Sequence, residues 1–114
     1  MKSRLRIRFR KVNRDVFEAI REKTKQIETR AGTNKYKSVA AGDCLILVCG
    51  KNKILKKVKR AEHFKTISAL LRKYQPIKIN PFCKTKKDIE KMYLSFPGYK
   101  EKIRKYGLVA WKFK

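Results

Sequence analysis

The longest unbroken apolar stretch in the chain is Cys44-Leu-Ile-Leu-Val-Cys49, and its shortness limits what can be built around it. A membrane-spanning helix needs about 20 apolar residues, so this run does not cross a bilayer. Apolar at every position and flanked by turn residues, it has the pattern of a central strand covered on both faces. Ala40-Ala41-Gly42-Asp43 delivers the chain into it. Gly50-Lys51-Asn52-Lys53 then supplies hairpin chemistry before a partner strand over Ile54 to Ala61. A chain of 114 residues organised on one such strand makes one domain, spanning 1–114, with one core.

The flanking segments supply the other elements. Leu5, Ile7 and Phe9 alternate with Arg4, Arg6, Arg8 and Arg10, the period of a half-buried strand that offers guanidinium groups on its outer face. Asn13 is placed to cap a helix carrying Val16, Phe17 and Ile20 on one face. Lys25 to Arg30 reads as a short strand, and Ala31 to Ser38 as a loop. Thr66 caps a second helix with Ile67, Leu70 and Leu71 inward, and Pro76 and Pro81 bracket an irregular segment. Thr85 and Asp88 form a capping box ahead of a third helix with Ile89, Met92, Tyr93 and Phe96 at helical spacing. Gly107 to Lys114 closes the chain as a strand with Val109, Trp111 and Phe113 on one side. The order β-α-β-β-β-α-α-β predicts an α+β fold, a small curved mixed sheet or pseudo-barrel flanked by about three helices. There is no internal repeat, low-complexity tract or interdomain linker.

Charge decides the partner class. Lys and Arg number 33 against nine Asp and Glu, a formal net charge of +24. Hydrophobic residues still make up 42% of the chain, enough for a folded core rather than a disordered polycation. A positive field of this size draws in polyanions, whose counterions are released on binding. An A/T-rich genome would inflate Lys but does not account for the Arg-rich start. The basic residues cluster: Arg6 and Arg8 on the first strand, Lys51, Lys53, Lys56, Lys57, Lys59 and Arg60 along the hairpin, and Lys84, Lys86 and Lys87 before the third helix. Tyr36, Tyr74, Tyr99 and Trp111 are the candidates for base stacking, with Trp111 better suited to the core.

Other chemistries find little support. Cys44, Cys49 and Cys83 lack CxxC spacing, and Cys44 and Cys49 point to opposite faces of their strand. They read as small buried residues in a reducing cytoplasm, with no metal and no cofactor expected. His63 is the sole histidine, which excludes a multi-histidine metal site, and it reads as structural. Met-Lys-Ser-Arg-Leu-Arg-Ile-Arg contains no apolar signal segment, so a cytoplasmic protein is expected.

One constellation remains: a helix, then Lys25-Gln-Ile-Glu28-Thr-Arg30, a loop, and Gly42-Asp43 opening the apolar strand. This resembles the ASCH domain, a branch of the PUA-like superfamily, whose motif G-x-K-x-x-E-x-R precedes a G-D strand entry. Lys25, Glu28 and Arg30 match its last three defined positions, and the ending Tyr99 to Lys114 is also similar, so the resemblance runs the length of the chain. Lys23 stands where the family has Gly, which suggests a helix-to-strand connection built differently here. Residues two apart on a strand share a face, so Glu28 and Arg30 lie together. Lys25 joins them only if it sits in the turn before the strand. The resemblance implies that the three line a cleft in a small barrel. Arg30 would grip a phosphate or carboxylate, and Glu28 would orient it or accept from a base amino group.

These observations lead to an RNA-binding ASCH-like protein with a nucleotide-sized cleft, monomeric and without a membrane partner. The resemblance implies an alternative, a small hydrolase of N4-acylated cytidine nucleosides or of RNA, with Lys25 and Glu28 catalytic. In such relatives Thr is the nucleophile where this chain has Glu28, so a Lys–Glu pair would have to activate water instead. A further alternative is a ribosome-associated structural protein for which charge alone matters.

Overall fold

The computed structural model describes residues 4–114. The elements run β1 (Arg4–Phe9), α1 (Arg14–Arg21), β2 (Ile27–Ala31), α2 (Asn34–Lys37), β3 (Cys44–Cys49), β4 (Asn52–Phe64), α3 (Ile67–Lys73), α4 (Pro76–Ile79), α5 (Lys86–Leu94), α6 (Tyr99–Tyr106) and β5 (Leu108–Phe113). A single 3-10 turn, Lys11–Asn13, precedes α1. The fold is α+β, with one mixed five-stranded sheet in the order β1-β3-β4-β5-β2. β1 runs parallel to β3, and every other pairing is antiparallel. No helix among the described residues is long and apolar enough to cross a membrane.

The sheet curls because β4 serves two partners. Its first half pairs with β3, its second half with β5, and a bulge between Val58 and Arg60 turns the strand between them. The curl swings the two edge strands toward each other until Arg30 on β2 donates to the carbonyl of Arg8 on β1, 3.2 Å away. The result is a half-barrel whose open seam lies between β1 and β2. Inside it, Ile7, Leu45, Leu47, Val58, Trp111 and Phe113 pack with Phe17 and Ile20 of α1. On the outer face of β2 and β5, Ile27, Leu108 and Ala110 pack under Leu70, Ile79, Ile89, Tyr93 and Ile103 from the helices.

Several sequence expectations need correction. The described residues form six helices rather than about three: α2 and α4 are single turns of four residues, and α6 occupies the start of the segment read as a tail. α2 lies in the expected loop, and Pro76 opens α4, where its missing N–H costs nothing. β3 is internal to the sheet as expected, but its outer face is covered only in part: Val48 is buried there, whereas Cys44 and Ile46 are half-buried. β4 extends past Ala61 to Phe64. Asn13 sits at the N-cap of α1 without a side-chain capping bond. The caps at Thr66 and Thr85 are formed as expected, Thr85 and Asp88 bonding reciprocally.

Candidate functional site

The site begins at the end of α1. Lys23 adopts a left-handed conformation, φ 66°, and its N–H bonds the carbonyl of Ile20 while Thr24 N–H reaches that of Ala19. This is a Schellman ending. Lys23 thus takes up a backbone conformation for which glycine is better suited. The reversal places Lys25 in the turn ahead of β2, with its side chain buried and 2% of the residue exposed.

The Lys25 ammonium donates to the carbonyls of Ile27 and Ile79, the latter at 2.5 Å, and lies 3.3 Å from Glu28 Oε1. Lys25 Nζ thus faces three oxygens, as many as an ammonium has N–H groups. Glu28 is 6% exposed. Its Oε1 also accepts from Thr29 N–H at 3.2 Å, and its Oε2 takes both Nε and Nη2 of Arg30, at 3.2 and 2.9 Å. A carboxylate has about four acceptor positions, and all are used.

Burial alone would raise the Glu28 pKa, but the charges of Lys25 and Arg30 and their hydrogen bonds outweigh it and hold the carboxyl below its usual range. Burial pulls Lys25 downward against the opposing pull of Glu28. Arg30, desolvated but paired to Glu28, is pushed further up. The guanidinium lies over the Phe9 ring, 5.0 Å from its centroid. Nε and Nη2 are engaged by Glu28 and Arg8, and among the described residues no acceptor holds Nη1. That edge is the one uncommitted part of the trio.

Arg30 lines a cleft of about 210 Å³ at the seam, the space of several waters at about 30 Å³ each. One wall is the end of β1, with Arg8 and Phe9, and the residue that follows it, Arg10. The other comes from α5 and the turn into α6, with Tyr93, Phe96 and Tyr99. Tyr93 and Tyr99 stack with centroids 6.2 Å apart and planes 9° from parallel, and Phe96 meets Tyr99 edge-on at 5.1 Å. Arg10 lies over the Phe96 ring at 5.5 Å. Tyr99 Oη accepts from Ala31 N–H at 3.3 Å, which leaves its own proton to donate. Side-chain donors are therefore in excess, and the sole carboxylate is saturated. Aromatic faces under guanidinium groups suit a flat ring that carries acceptor oxygens.

The structure thus brings together Lys25, Glu28, Arg30 and Arg8 from the sequence-predicted set. It leaves Arg6, Lys51, Lys53, Lys56, Lys57, Lys59, Arg60, Lys84, Lys86 and Lys87 outside the cleft. Tyr99 lines the cleft, whereas Tyr74 is withdrawn from any stacking role: it is 8% exposed and its hydroxyl is tied to Glu62. Trp111 is fully buried, as expected, and Tyr36 packs edge-on against it at 5.8 Å. His63 has its Nε2 3.0 Å from the Tyr106 carbonyl, a structural contact beside Gly32 and Gly107. Sequence reasoning missed Phe9, Arg10 and Phe96. Tyr93, Phe96 and Tyr99 recur every three residues, and that spacing reads equally well as a core stripe.

The chain matches no family model, and no curated protein matches it. Among the solved structures similar to it, two match over nearly the whole chain. One is the crystal structure of hypothetical protein PH0355, with a TM-score of 0.80, 22% identity and coverage of 98% of each chain. The other is the solution structure of protein PF0455 from Pyrococcus furiosus, with a TM-score of 0.72 and 24% identity, covering 100% of this chain and 96% of that one. At these identities the likeness establishes the shared fold, a small curled-sheet α+β domain.

Proposed function

We propose that the protein is an RNA-binding module of the ASCH kind, which holds one nucleotide in the seam cleft. The observation that carries this reading is that Arg30, fixed by a carboxylate whose every acceptor position is engaged, lines an aromatic cleft with no acceptor at its Nη1 among the described residues. Glu28 then acts as the positioning residue for Arg30, and Lys25 neutralises and fixes Glu28 from below. Arg8 and Arg10 at the mouth supply further positive charge where a phosphate enters. The net charge of +24 supports a polyanionic ligand over an isolated aromatic acid.

The same geometry weighs against hydrolysis. A general base must accept a proton near neutral pH, and Glu28 is held ionised by two cations while Lys25 Nζ is enclosed by three oxygens. Fluorescence anisotropy with single-stranded RNA across a salt series tests the binding reading. Arg30→Ala should weaken binding about 10- to 100-fold, the worth of a charge-assisted contact. Arg30→Lys should recover little, because it keeps the charge and loses the fork. No salt-dependent binding by the unmodified protein sinks the proposal. Turnover of N4-acetylcytidine that vanishes in Glu28→Gln would transfer the site to the hydrolase reading.

A further inference from the structure

Away from the cleft, the part of the sheet that the helices leave open carries a second arrangement of cations. Strand register sets it. Across β1, β3 and β4, Arg6, Ile46 and Leu55 stand in one row, Arg8, Val48 and Lys53 in the next, and Cys44 lies opposite Lys57. Residues in register share a face, and this face is opposite to Ile7, Leu45 and Leu47, which fill the half-barrel. α3, α4 and α6 pack on the same outer side against β2 and β4. Over β1, β3 and the start of β4 no helix covers the face completely: Leu55 is 58% exposed, Arg6, Arg8 and Lys53 are exposed, Cys44, Ile46 and Lys57 are half-buried, and Val48 alone is buried between Arg8 and Lys53. Every charged residue in these rows is a cation. An apolar strip, Cys44 and Ile46 on β3 with Leu55 on β4, is therefore bordered by Arg6 and Arg8 on β1 and by Lys53 and Lys57 to either side of Leu55 on β4.

We propose that this open face is a second RNA contact, which carries a single strand away from the cleft. Phosphates lie along Arg6, Arg8, Lys53 and Lys57, and bases lie over Ile46 and Leu55. The inference rests on the RNA reading of the cleft, and Arg8 belongs to both surfaces, lining the cleft and standing in the cationic rows. Charge complementarity selects a polyanion, and the apolar strip selects one whose bases are exposed. A duplex hides its bases in the stack and would leave Ile46 and Leu55 against water.

The test compares two triple variants of equal charge. Arg6→Gln/Lys53→Gln/Lys57→Gln alters the open face, and Lys86→Gln/Lys87→Gln/Lys91→Gln alters exposed positions of α5. The probes are an oligouridylate of about ten nucleotides, within the span of known single-strand sites, and uridine monophosphate. The open-face triple should lower the slope of log affinity against log salt by about 2, at about 0.7 per phosphate contact. It should weaken oligonucleotide binding at least about tenfold and leave the mononucleotide unaffected. The α5 triple should change the slope by less than about 1. Equal losses in the two triples overturn the proposal, since net charge alone then sets affinity. Equal affinity for a duplex of the same length, or binding to phosphatidylserine vesicles that Leu55→Ser abolishes while oligonucleotide binding is untouched, overturns it also. If the unmodified protein binds neither probe, the RNA reading of the cleft falls and takes this inference with it. If Arg30→Ala loses binding while the two triples behave alike, the open-face inference falls alone.

Discussion

Glu28 holds two buried cations, and its worth is best judged by what remains when its charge is removed. Glu28→Gln leaves Lys25 and Arg30 desolvated side by side with a neutral amide, whose own N–H groups point at donors. Removing one partner of a buried ion pair costs about 3–5 kcal/mol, a large share of the ~5–15 kcal/mol that holds a domain together. Chemical denaturation should show that loss near neutral pH. The pH dependence has a definite sign. The folded carboxyl titrates below the ordinary glutamate range, so between the folded and unfolded titrations the unfolded chain binds more protons and acid favours unfolding. The stabilisation is complete above the unfolded value and is lost as pH falls through the folded one. The gap between the wild type and Glu28→Gln should therefore narrow on acidification below pH ~4.5. A gap that stays constant from pH 7 to 3 would mean that Glu28 is not the ionised partner described here. That Glu28 and Arg30 share a face was legible in the sequence, because strand alternation is local. That Lys25 faces them was not, since it depends on a carbonyl of Ile79, more than fifty residues away.

The turn between α1 and β2 sets the position of Lys25, and at its apex is a residue poorly suited to it. A side chain at φ 66° crowds its own backbone by about 1–2 kcal/mol relative to the right-handed region. Glycine relieves that strain but loosens the unfolded chain by about 0.4–1 kcal/mol. Lys23→Gly should therefore stabilise the protein by about 0.5–1 kcal/mol, read as a rise of a few degrees in melting temperature. Oligonucleotide affinity should change little, because the Schellman bonds and the placement of Lys25 are kept. A destabilised Lys23→Gly would show that the lysine side chain makes a contribution the backbone geometry does not reveal. Elements of this kind were readable to the extent that their signals are local. The Thr85–Asp88 box marked α5 correctly, and the Arg-Leu-Arg-Ile-Arg alternation marked β1. α6 was hidden because Tyr99-Lys-Glu-Lys-Ile-Arg-Lys-Tyr106 buries only Ile103, too thin an apolar stripe to stand out from a tail. The incomplete outer cover of β3 was hidden for a different reason. An unbroken apolar run predicts burial, yet Ile46 is only half-buried and its β4 neighbour Leu55 is exposed, because the helical layer ends before it reaches them.

At the scale of the whole molecule, charge and curl work on different terms of the free energy. The cleft exists only because the bulge in β4 brings β1 and β2 together, a long-range closure that no window of sequence contains. Phe9 and Phe96 therefore read as core until the seam places them around a ligand-sized space. The positive field acts on every conformation of the chain. With 33 basic and nine acidic residues, folding concentrates like charges, and their repulsion opposes the compact state. Salt should relieve that repulsion, since the Debye length falls from about 30 Å at 0.01 M to about 10 Å at 0.1 M. The Lys25–Glu28–Arg30 cluster is buried and is screened much less. The free protein should therefore gain thermal stability as sodium chloride rises through this range, while its affinity for single-stranded RNA falls steeply because bound counterions are no longer released at a favourable concentration. Thermal melts and anisotropy titrations on one salt series read both quantities. Opposite slopes are expected, with the two effects arising from the same surface cations. A melting temperature that falls with salt would mean that attractive surface pairs, such as Arg104 with Glu101 and Arg60 with Glu62, outweigh the repulsion. The charge excess would then be no burden on the fold that only a polyanionic partner relieves, and the strongest whole-molecule reason for assigning it to nucleic-acid binding would be gone.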